Sequence, residues 1–243
     1  MAKFLTLSPE MIFFALLGGL LPALLWLFFW LREDRVHPEP RSLIMLSFLA
    51  GMGAVIVSLP LERFAEHRIA SGALLFTVWA VIEEVTKLGG AYFAALRRKE
   101  SDEPIDPMIY LITAALGFAA LENTLFLLGS ITRVGIVESI ITGNLRFIGA
   151  TLLHVLTSGS IGVFLGLSFY KARWRREINL GAGLLLAILL HTAFNVRIVE
   201  SSGATILVTF SLVWAAIVLL LLFFERVKSV RPSGDNTGTR RAL

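Results

Sequence analysis

Cysteine is absent from this chain of 243 residues, and charged residues are scarce. Without cysteine the chain has no disulfide, no thiolate nucleophile and no cysteine-bound metal. Only 16% of the residues are Asp, Glu, Lys or Arg, whereas soluble domains have about 25%. Hydrophobic residues make up 56% of the chain, and the mean hydropathy is +0.77. These values exclude an ordinary soluble domain and a disordered chain, and they favour a membrane protein.

Several familiar catalytic motifs are missing as well. The sequence has no His-Glu-x-x-His zinc signature and no Gly-x-Ser-x-Gly nucleophile elbow. Asp106, at the start of an apolar stretch, is the only Asp in any such stretch, which argues against an intramembrane pair of aspartates. No basic segment interleaved with aromatic residues points to nucleic acid. The net charge of +4 instead fits cytoplasmic loops rich in Lys and Arg.

Seven apolar stretches are long enough to cross a bilayer, so the sequence predicts an all-α, polytopic transmembrane helix bundle. They cover residues 11–31, 43–60, 71–96, 107–129, 146–170, 180–199 and 205–224. Fifteen Lys and Arg residues lie in one alternating set of loops and five in the other, which predicts an outside N-terminus and a cytoplasmic C-terminus. We expect residues 1–231 to form one integral-membrane domain, with catalytic helices over about 71–199. Residues 232–243 are expected to form a disordered polar tail.

Polar side chains inside the third to sixth stretches are the main functional signal. An ionised group at mid-bilayer costs at least about 2.5 kcal/mol on insertion scales, so we expect these groups to face one another or a wet cavity. With a helical rise of about 1.5 Å per residue, the four stretches bring them, apart from the arginine at the outer end of the fifth stretch, to one layer between the midplane and the outer face. The residues are Glu83, Glu84, Lys87, Glu122, Asn123, Arg146, His154, His191 and Asn195.

Helical spacing relates these residues to one another. Glu83 and Lys87 are four residues apart and share a helix face, as do His191 and Asn195. Glu84 points about 100° away from Glu83, so we expect one carboxylate to face a cavity and the other a supporting helix. A single His or Asn in a span is explained as a helix-packing group, and the arginine as an interfacial anchor. The convergence of the whole set is what indicates a site.

Carboxylates and imidazoles without a thiol or a convincing serine dyad suggest the activation of water. One possibility is a glutamic-type site, in which Glu is the general base, His shares the proton, and Asn or His binds the oxyanion. The other is a metal site with two His and one carboxylate around Zn²⁺ and another Glu as base. Its ligands would come from Glu83, Glu84, Glu122, His154 and His191. The expected cofactor is therefore none for the first mechanism and zinc for the second.

Four segments resemble, in order, the motifs of PrsW-type intramembrane proteases, which are related to CAAX prenyl-proteases and bacteriocin-immunity-type membrane proteases. They are the Glu-Glu-Val-Thr-Lys run of 83–87; the Asp-Pro-Met-Ile-Tyr run of 106–110 with the Gly-Phe-Ala-Ala-Leu-Glu-Asn run of 117–123; residues 146–154 continuing to Gly162 and Gly166; and the Leu-His-Thr-Ala-Phe-Asn run of 190–195. The resemblance covers roughly residues 81–195. Pro107 stands where the family pattern leads us to expect Gly, but Pro is well accommodated at a helix start.

The resemblance implies an intramembrane endopeptidase. Its expected substrate is a single-span or membrane-proximal protein, similar to an anti-sigma factor, cleaved near the extracytoplasmic side. The expected location is the inner or plasma membrane of a prokaryotic cell, with the lipid bilayer as partner and no nucleic acid. In this reading Glu83 or Glu84 activates water together with His154, and His191 serves the oxyanion or supports the base. The supporting residues would be Lys87, Asn123, Arg146 and Asn195.

Three other functions stay open at this point. A prenyl-protein peptidase would have Arg four residues after the second Glu, where this chain has Leu88. A proton-coupled transporter would use intramembrane Glu, His and Lys as a relay, but it predicts an internal repeat, and none is evident. A catalytically inactive scaffold is disfavoured by the complete motifs.

Overall fold

The computed structural model describes residues 7–33, 38–200 and 204–232, with the backbone alone for 140–148, 200 and 204. These ranges form seven α-helices and one π-helical segment and contain no strand, so the all-α prediction is confirmed. The elements are α1 (Pro9–Glu33), α2 (Arg41–Glu66), α3 (Ala73–Ala91), the π-helical segment Tyr92–Leu96, α4 (Asp106–Val134), α5 (Ile136–Leu167), α6 (Arg173–Glu200) and α7 (Ala204–Lys228). The predicted polar tail, from residue 233 onward, lies outside the described residues.

Six helices among the described residues are long and apolar enough to cross a membrane. They comprise α1, α2, α4, the Gly149–Leu167 part of α5, and nearly all of α6 and α7. The helix α3 is not among these six, since Glu83, Glu84 and Lys87 interrupt its apolar sequence. The membrane-spanning bundle is therefore confirmed, whereas a seventh crossing by α3 and the orientation of the chain stay predictions.

The helices α4 and α5 form the centre of the bundle. In their apolar windows 72% and 83% of the residues are buried, compared with 17–33% in α1, α2, α6 and α7. Gly135 alone separates the two central helices, and its φ of 88° lies in the region that favours glycine. The outer helices instead expose large apolar side chains such as Leu25 and Ile56, as expected for surfaces in contact with lipid.

Glycines allow the central helices to approach their neighbours closely. A methyl group on Gly51 of α2 would collide with the backbone carbonyl of Ala114 in α4. A Cβ on Gly162 of α5 would lie 2.6 Å from the Cα of Met108 in α4. Such small residues let membrane helices pack backbone to backbone. The packing fixes α2, α4 and α5 relative to one another, and these are three of the helices that surround the site.

Two helix boundaries differ from the sequence-based ones in ways that affect the site. The second apolar stretch was predicted to end at residue 60, but α2 continues through Pro60 to Glu66. Prolines are tolerated inside membrane helices because neighbouring groups satisfy the freed backbone. The fifth stretch was predicted to begin at Arg146, but α5 begins at Ile136. Both helices are therefore longer than their apolar stretches.

Candidate active site

The helix α3 places its two consecutive glutamates in different surroundings. Successive helical positions point about 100° apart. Glu83 lines a cavity of about 420 Å³ and is 7% exposed, whereas Glu84 is 0% exposed and is not part of the cavity lining. One carboxylate therefore faces the cavity and the other faces a supporting helix, the division that the helical spacing leads us to expect.

Glu84 is the buried anchor of a charged network. Its Oε1 atom lies 2.6 Å from Nζ of Lys87 and 2.7 Å from Nδ1 of His191. Hydrogen bonds with an ionised partner are stronger than neutral ones. The contact between Glu84 and His191 therefore holds α3 to α6 at the site. The sequence placed Lys87 on the face of Glu83, four residues away. The structure pairs it instead with Glu84, three residues away.

His154 of α5 lies between Lys87 and Glu122. Its Nδ1 atom is 3.0 Å from Nζ of Lys87, and its Nε2 atom is 2.9 Å from Oε2 of Glu122. An ammonium group only donates hydrogen bonds, so Nδ1 accepts from Lys87 and Nε2–H donates to Glu122. The ring also packs against Phe118 and His191, with centroid distances of 5.1 and 5.4 Å. These contacts fix both the orientation and the tautomer of the imidazole.

Glu83 faces both imidazoles without a hydrogen bond to either. Its Oε2 atom is buried and has no hydrogen-bond partner among the described residues. It lies 3.7 Å from Nε2 of His191 and 3.9 Å from Nδ1 of His154. Since Nδ1 of His191 donates to Glu84, its Nε2 presents a lone pair toward Glu83. The lone pair on Nδ1 of His154 accepts from Lys87, so the carboxylate and the two imidazole nitrogens converge with the Lys87 ammonium group beside one of them.

This convergence fits a divalent metal ion. Glu83, His154 and His191 each offer one ligand atom, and these atoms lie within 4.8 Å of one another. Two imidazoles and one carboxylate are the donor set of many zinc hydrolases. Each imidazole also donates its other nitrogen to a carboxylate, Glu122 or Glu84, as metal-binding histidines usually do. A bound ion would have to displace the Lys87 ammonium group from Nδ1 of His154.

The cavity contains a carboxylate that the sequence analysis missed. Glu62 of α2 lines it together with Glu83 and Glu122, and Nε1 of Trp79 donates to the backbone carbonyl of Glu62 over 3.3 Å. The predicted span ended at residue 60, so Glu62 counted as a loop residue. A helix continued through Pro60 would have placed it within one turn of the apolar stretch and revealed it.

Of the predicted supporting residues, some line the cavity and others do not. Asn195 lines the cavity together with His191, one turn earlier on α6. Asn123 is buried, and its amide donates to Oγ1 of Thr151 over 3.1 Å, so it links α4 to α5 rather than lining the cavity. The side chain of Arg146 lies outside the described residues.

Apolar helices that bury glutamates and histidines around a single cavity define a membrane-embedded enzyme with a hydrolase-type site. A family model described as "PrsW family intramembrane metalloprotease" matches residues 39–223. The chain belongs to this family, and it is an intramembrane protease. The match extends beyond the four motifs and includes α2 and most of α7.

Relatives named Protease PrsW are similar to this chain over most of its length. The protein from Geobacillus kaustophilus is 30% identical over 184 residues, which cover 73% of this chain and 76% of the relative. The protein from Oceanobacillus iheyensis is 28% identical over 199 residues, or 79% and 86% of the two chains. The Bacillus subtilis protein is 24% identical over 181 residues, or 73% and 79%. No solved structure matches. These similarities do not favour prenyl-protein processing or proton-coupled transport.

Proposed function

We propose that this protease cleaves a single-span or membrane-proximal protein near the extracytoplasmic face of a bacterial plasma membrane. The observation that carries the proposal is the buried Oε2 atom of Glu83, which faces two imidazole nitrogens and has no hydrogen-bond partner in the part of the chain that the structure describes. An unsatisfied buried polar atom costs about 1–3 kcal/mol. Oε2 of Glu84 shares this state, but Glu83 also lines the cavity and faces both imidazoles, so we assign Glu83 to the reaction. A substrate similar to an anti-sigma factor is the expectation that the family resemblance adds.

In this proposal Glu83, His154 and His191 hold a zinc ion. When bound, zinc supplies a Lewis acid that polarises the scissile carbonyl and makes an attacking water molecule more acidic. The donor set supports this choice, together with the family description as a metalloprotease. The glutamic-type alternative, in which Glu83 itself is the base, differs in its metal requirement and is separated from the zinc mechanism by metal analysis.

Glu122 is the group we assign as general base and acid. It lines the cavity, its side chain is 27% exposed, and it lies outside the Glu83, His154 and His191 ligand group. It takes a proton from the water molecule as the oxygen attacks the carbonyl carbon. It then gives that proton to the nitrogen of the leaving amine as the peptide C–N bond breaks. The hydrogen bond from Nε2 of His154 holds its carboxylate in place.

The remaining polar groups position the reacting ones. Glu84 fixes the ring of His191 through Nδ1, and Lys87 neutralises Glu84 while contacting His154. Asn195 lies in the cavity, where its amide is available to donate to the oxyanion of a tetrahedral intermediate.

The test uses purified protein in liposomes with a panel of single-span reporter proteins, each tagged on both sides of an apolar segment. We expect the wild type to cleave a reporter in the outer half of that segment, as read from fragment masses. Glu83→Gln, Glu122→Gln and His191→Ala should each lower the rate by about 10²–10⁴-fold. Glu66→Gln, at the exposed end of α2, is the control and should cleave normally. Wild-type rates in all three site variants would overturn the proposal.

A further inference from the structure

A second concave surface follows the line between α6 and α7, next to the active-site cavity. We call it the seam groove. It has a volume of about 200 Å³ and is lined by α5, α6 and α7, with Leu156, Ala193, Leu212 and Val213 among its apolar residues. Its polar members are Arg197 and Thr209, so the surface suits an apolar occupant with a polar end.

The seam groove is continuous with the active-site cavity. Leu153 and Phe194 line both of them. Along α7, Ile206 and Phe210 line the cavity, and the groove follows from Thr209 onward to Ala216. At about 1.5 Å per residue, α7 is about 15 Å long from Ile206 to Ala216. The cavity with Glu83 therefore lies at one end of a continuous seam.

The seam also opens on the lipid-facing side of the bundle. Leu212 of α7 lines it and is 61% exposed. A helix in the bilayer can therefore reach the seam sideways, without passing through water.

A second groove shows that size alone does not select a docking surface. This α1–α2 groove is lined by residues such as Leu24, Leu27, Met45 and Leu49 and is larger, at about 510 Å³. It shares no lining residue with the active-site cavity. A substrate bound there would have no direct path to Glu83, so this surface is the natural control.

We propose that the seam groove docks the transmembrane helix of the substrate, an apolar segment that lies against α6 and α7 and presents its outer end to Glu83. This inference rests on the proposed function, because it requires a membrane-anchored substrate. The continuity through Leu153 and Phe194 identifies the surface, and the apolar lining identifies the kind of segment that it binds.

Photo-crosslinking tests the docking surface directly. A photoreactive amino acid replaces Leu212 in the seam groove or Met45 in the α1–α2 groove, each in a Glu83→Gln background that retains the reporter. In liposomes with the tagged reporters, we expect about tenfold more crosslinked product from position 212 than from position 45, a ratio equivalent to about 1.4 kcal/mol. Equal products, or more product from position 45, would overturn the proposal.

A groove-filling variant supplies a second measurement. Ala193→Trp places a large side chain in the seam groove, and Leu24→Trp does the same in the α1–α2 groove. We expect Ala193→Trp to lower kcat/KM for the reporter by about tenfold and to leave cleavage of a short soluble peptide with the same scissile sequence unchanged. An unchanged reporter rate in Ala193→Trp, or an equal loss for the reporter and the soluble peptide in that variant, contradicts the proposal.

If the wild type cleaves no reporter, the proposed function fails. If the wild type cleaves the reporter but the crosslink forms at position 45, the proposed function stands and only the docking of the substrate in the seam groove is wrong.

Discussion

The Nδ1 atom of His191 lies 2.7 Å from Oε1 of Glu84, and this contact turns the opposite ring nitrogen toward Glu83. Two adjacent glutamates on one helix therefore have separate tasks. Oε2 of both glutamates has no hydrogen-bond partner among the described residues. Glu84 is fully buried and bonded through Oε1 to Lys87 and His191, whereas Glu83 lines the cavity. A metal-binding histidine is usually oriented by such a carboxylate on its far nitrogen.

Because Glu83 and Glu84 have different surroundings, the same Glu→Gln substitution should have opposite effects on stability at the two positions. Glu84→Gln leaves the Lys87 ammonium buried without a counter-charge, and breaking a buried ion pair costs about 3–5 kcal/mol. Glu83→Gln removes a buried charge whose Oε2 makes no hydrogen bond to the residues that the structure describes, so stability should stay equal or rise. Thermal unfolding in detergent, followed by tryptophan fluorescence, measures both. Equal losses of stability in the two variants would contradict the division of tasks.

Coupling between Glu84 and Lys87 can be measured with a double-mutant cycle. We expect Glu84→Gln with Lys87→Met to lose less stability than the two single variants added together, with a coupling energy of about 2–3 kcal/mol. The chain offers a matched control in Glu225 and Lys228, which have the same spacing and a 2.7 Å contact but side chains that are 62% and 30% exposed. Exposed pairs contribute at most about 1 kcal/mol. Similar coupling energies in the two pairs would show that burial does not strengthen the Glu84–Lys87 contact.

Much of the site could be predicted because charge is rare in the apolar stretches. Glu83, Glu84, Glu122, His154 and His191 were singled out from their positions in the chain alone, and the structure brings all five within one network. Helical rise and alternating direction set their depth, so convergence did not depend on knowing how the helices pack.

The sequence does not predict the contacts that depend on the orientation of each helix about its axis or on the residue at which a helix ends. Lys87 reaches either neighbouring glutamate at helical spacing, and only the packing of α5 and α6 selects Glu84. Asn123 carries an amide suited to binding an oxyanion, but the α4–α5 contact directs it to Thr151. Glu62 lies beyond the predicted end of the second stretch at Pro60, but α2 continues through this proline to Glu66.

The close crossing of α2 and α4 predicts a position-specific effect of a single methyl group. Gly51→Ala places a Cβ against the backbone carbonyl of Ala114, whereas a Cβ on Gly53 meets nothing within 4 Å. Overpacking typically costs about 1–3 kcal/mol, so Gly51→Ala should lower the melting temperature. It should also lower activity, because α2 and α4 carry Glu62 and Glu122. Gly53→Ala should be neutral or stabilise by up to about 1 kcal/mol. Equal melting temperatures in the two variants would show that the crossing tolerates a methyl group.

Metal content distinguishes the zinc mechanism from the glutamic one. Purified wild type, exposed to zinc and then desalted, should retain about one zinc ion per chain by elemental analysis. Glu83→Gln, His154→Ala and His191→Ala should lose it because each removes a ligand.

Two further variants separate binding the ion from using it. Glu84→Gln should weaken zinc affinity by about 10–100-fold, since it removes the carboxylate that orients His191. Glu122→Gln should weaken zinc affinity by no more than Glu84→Gln does, since it alters the contact with His154, but it should lose reporter cleavage even with zinc bound, because Glu122 is assigned to the proton transfer. Glu66→Gln should match the wild type in both measurements. Full cleavage by metal-free protein, prepared with a chelator, would exclude the zinc mechanism and assign the general base to Glu83 itself.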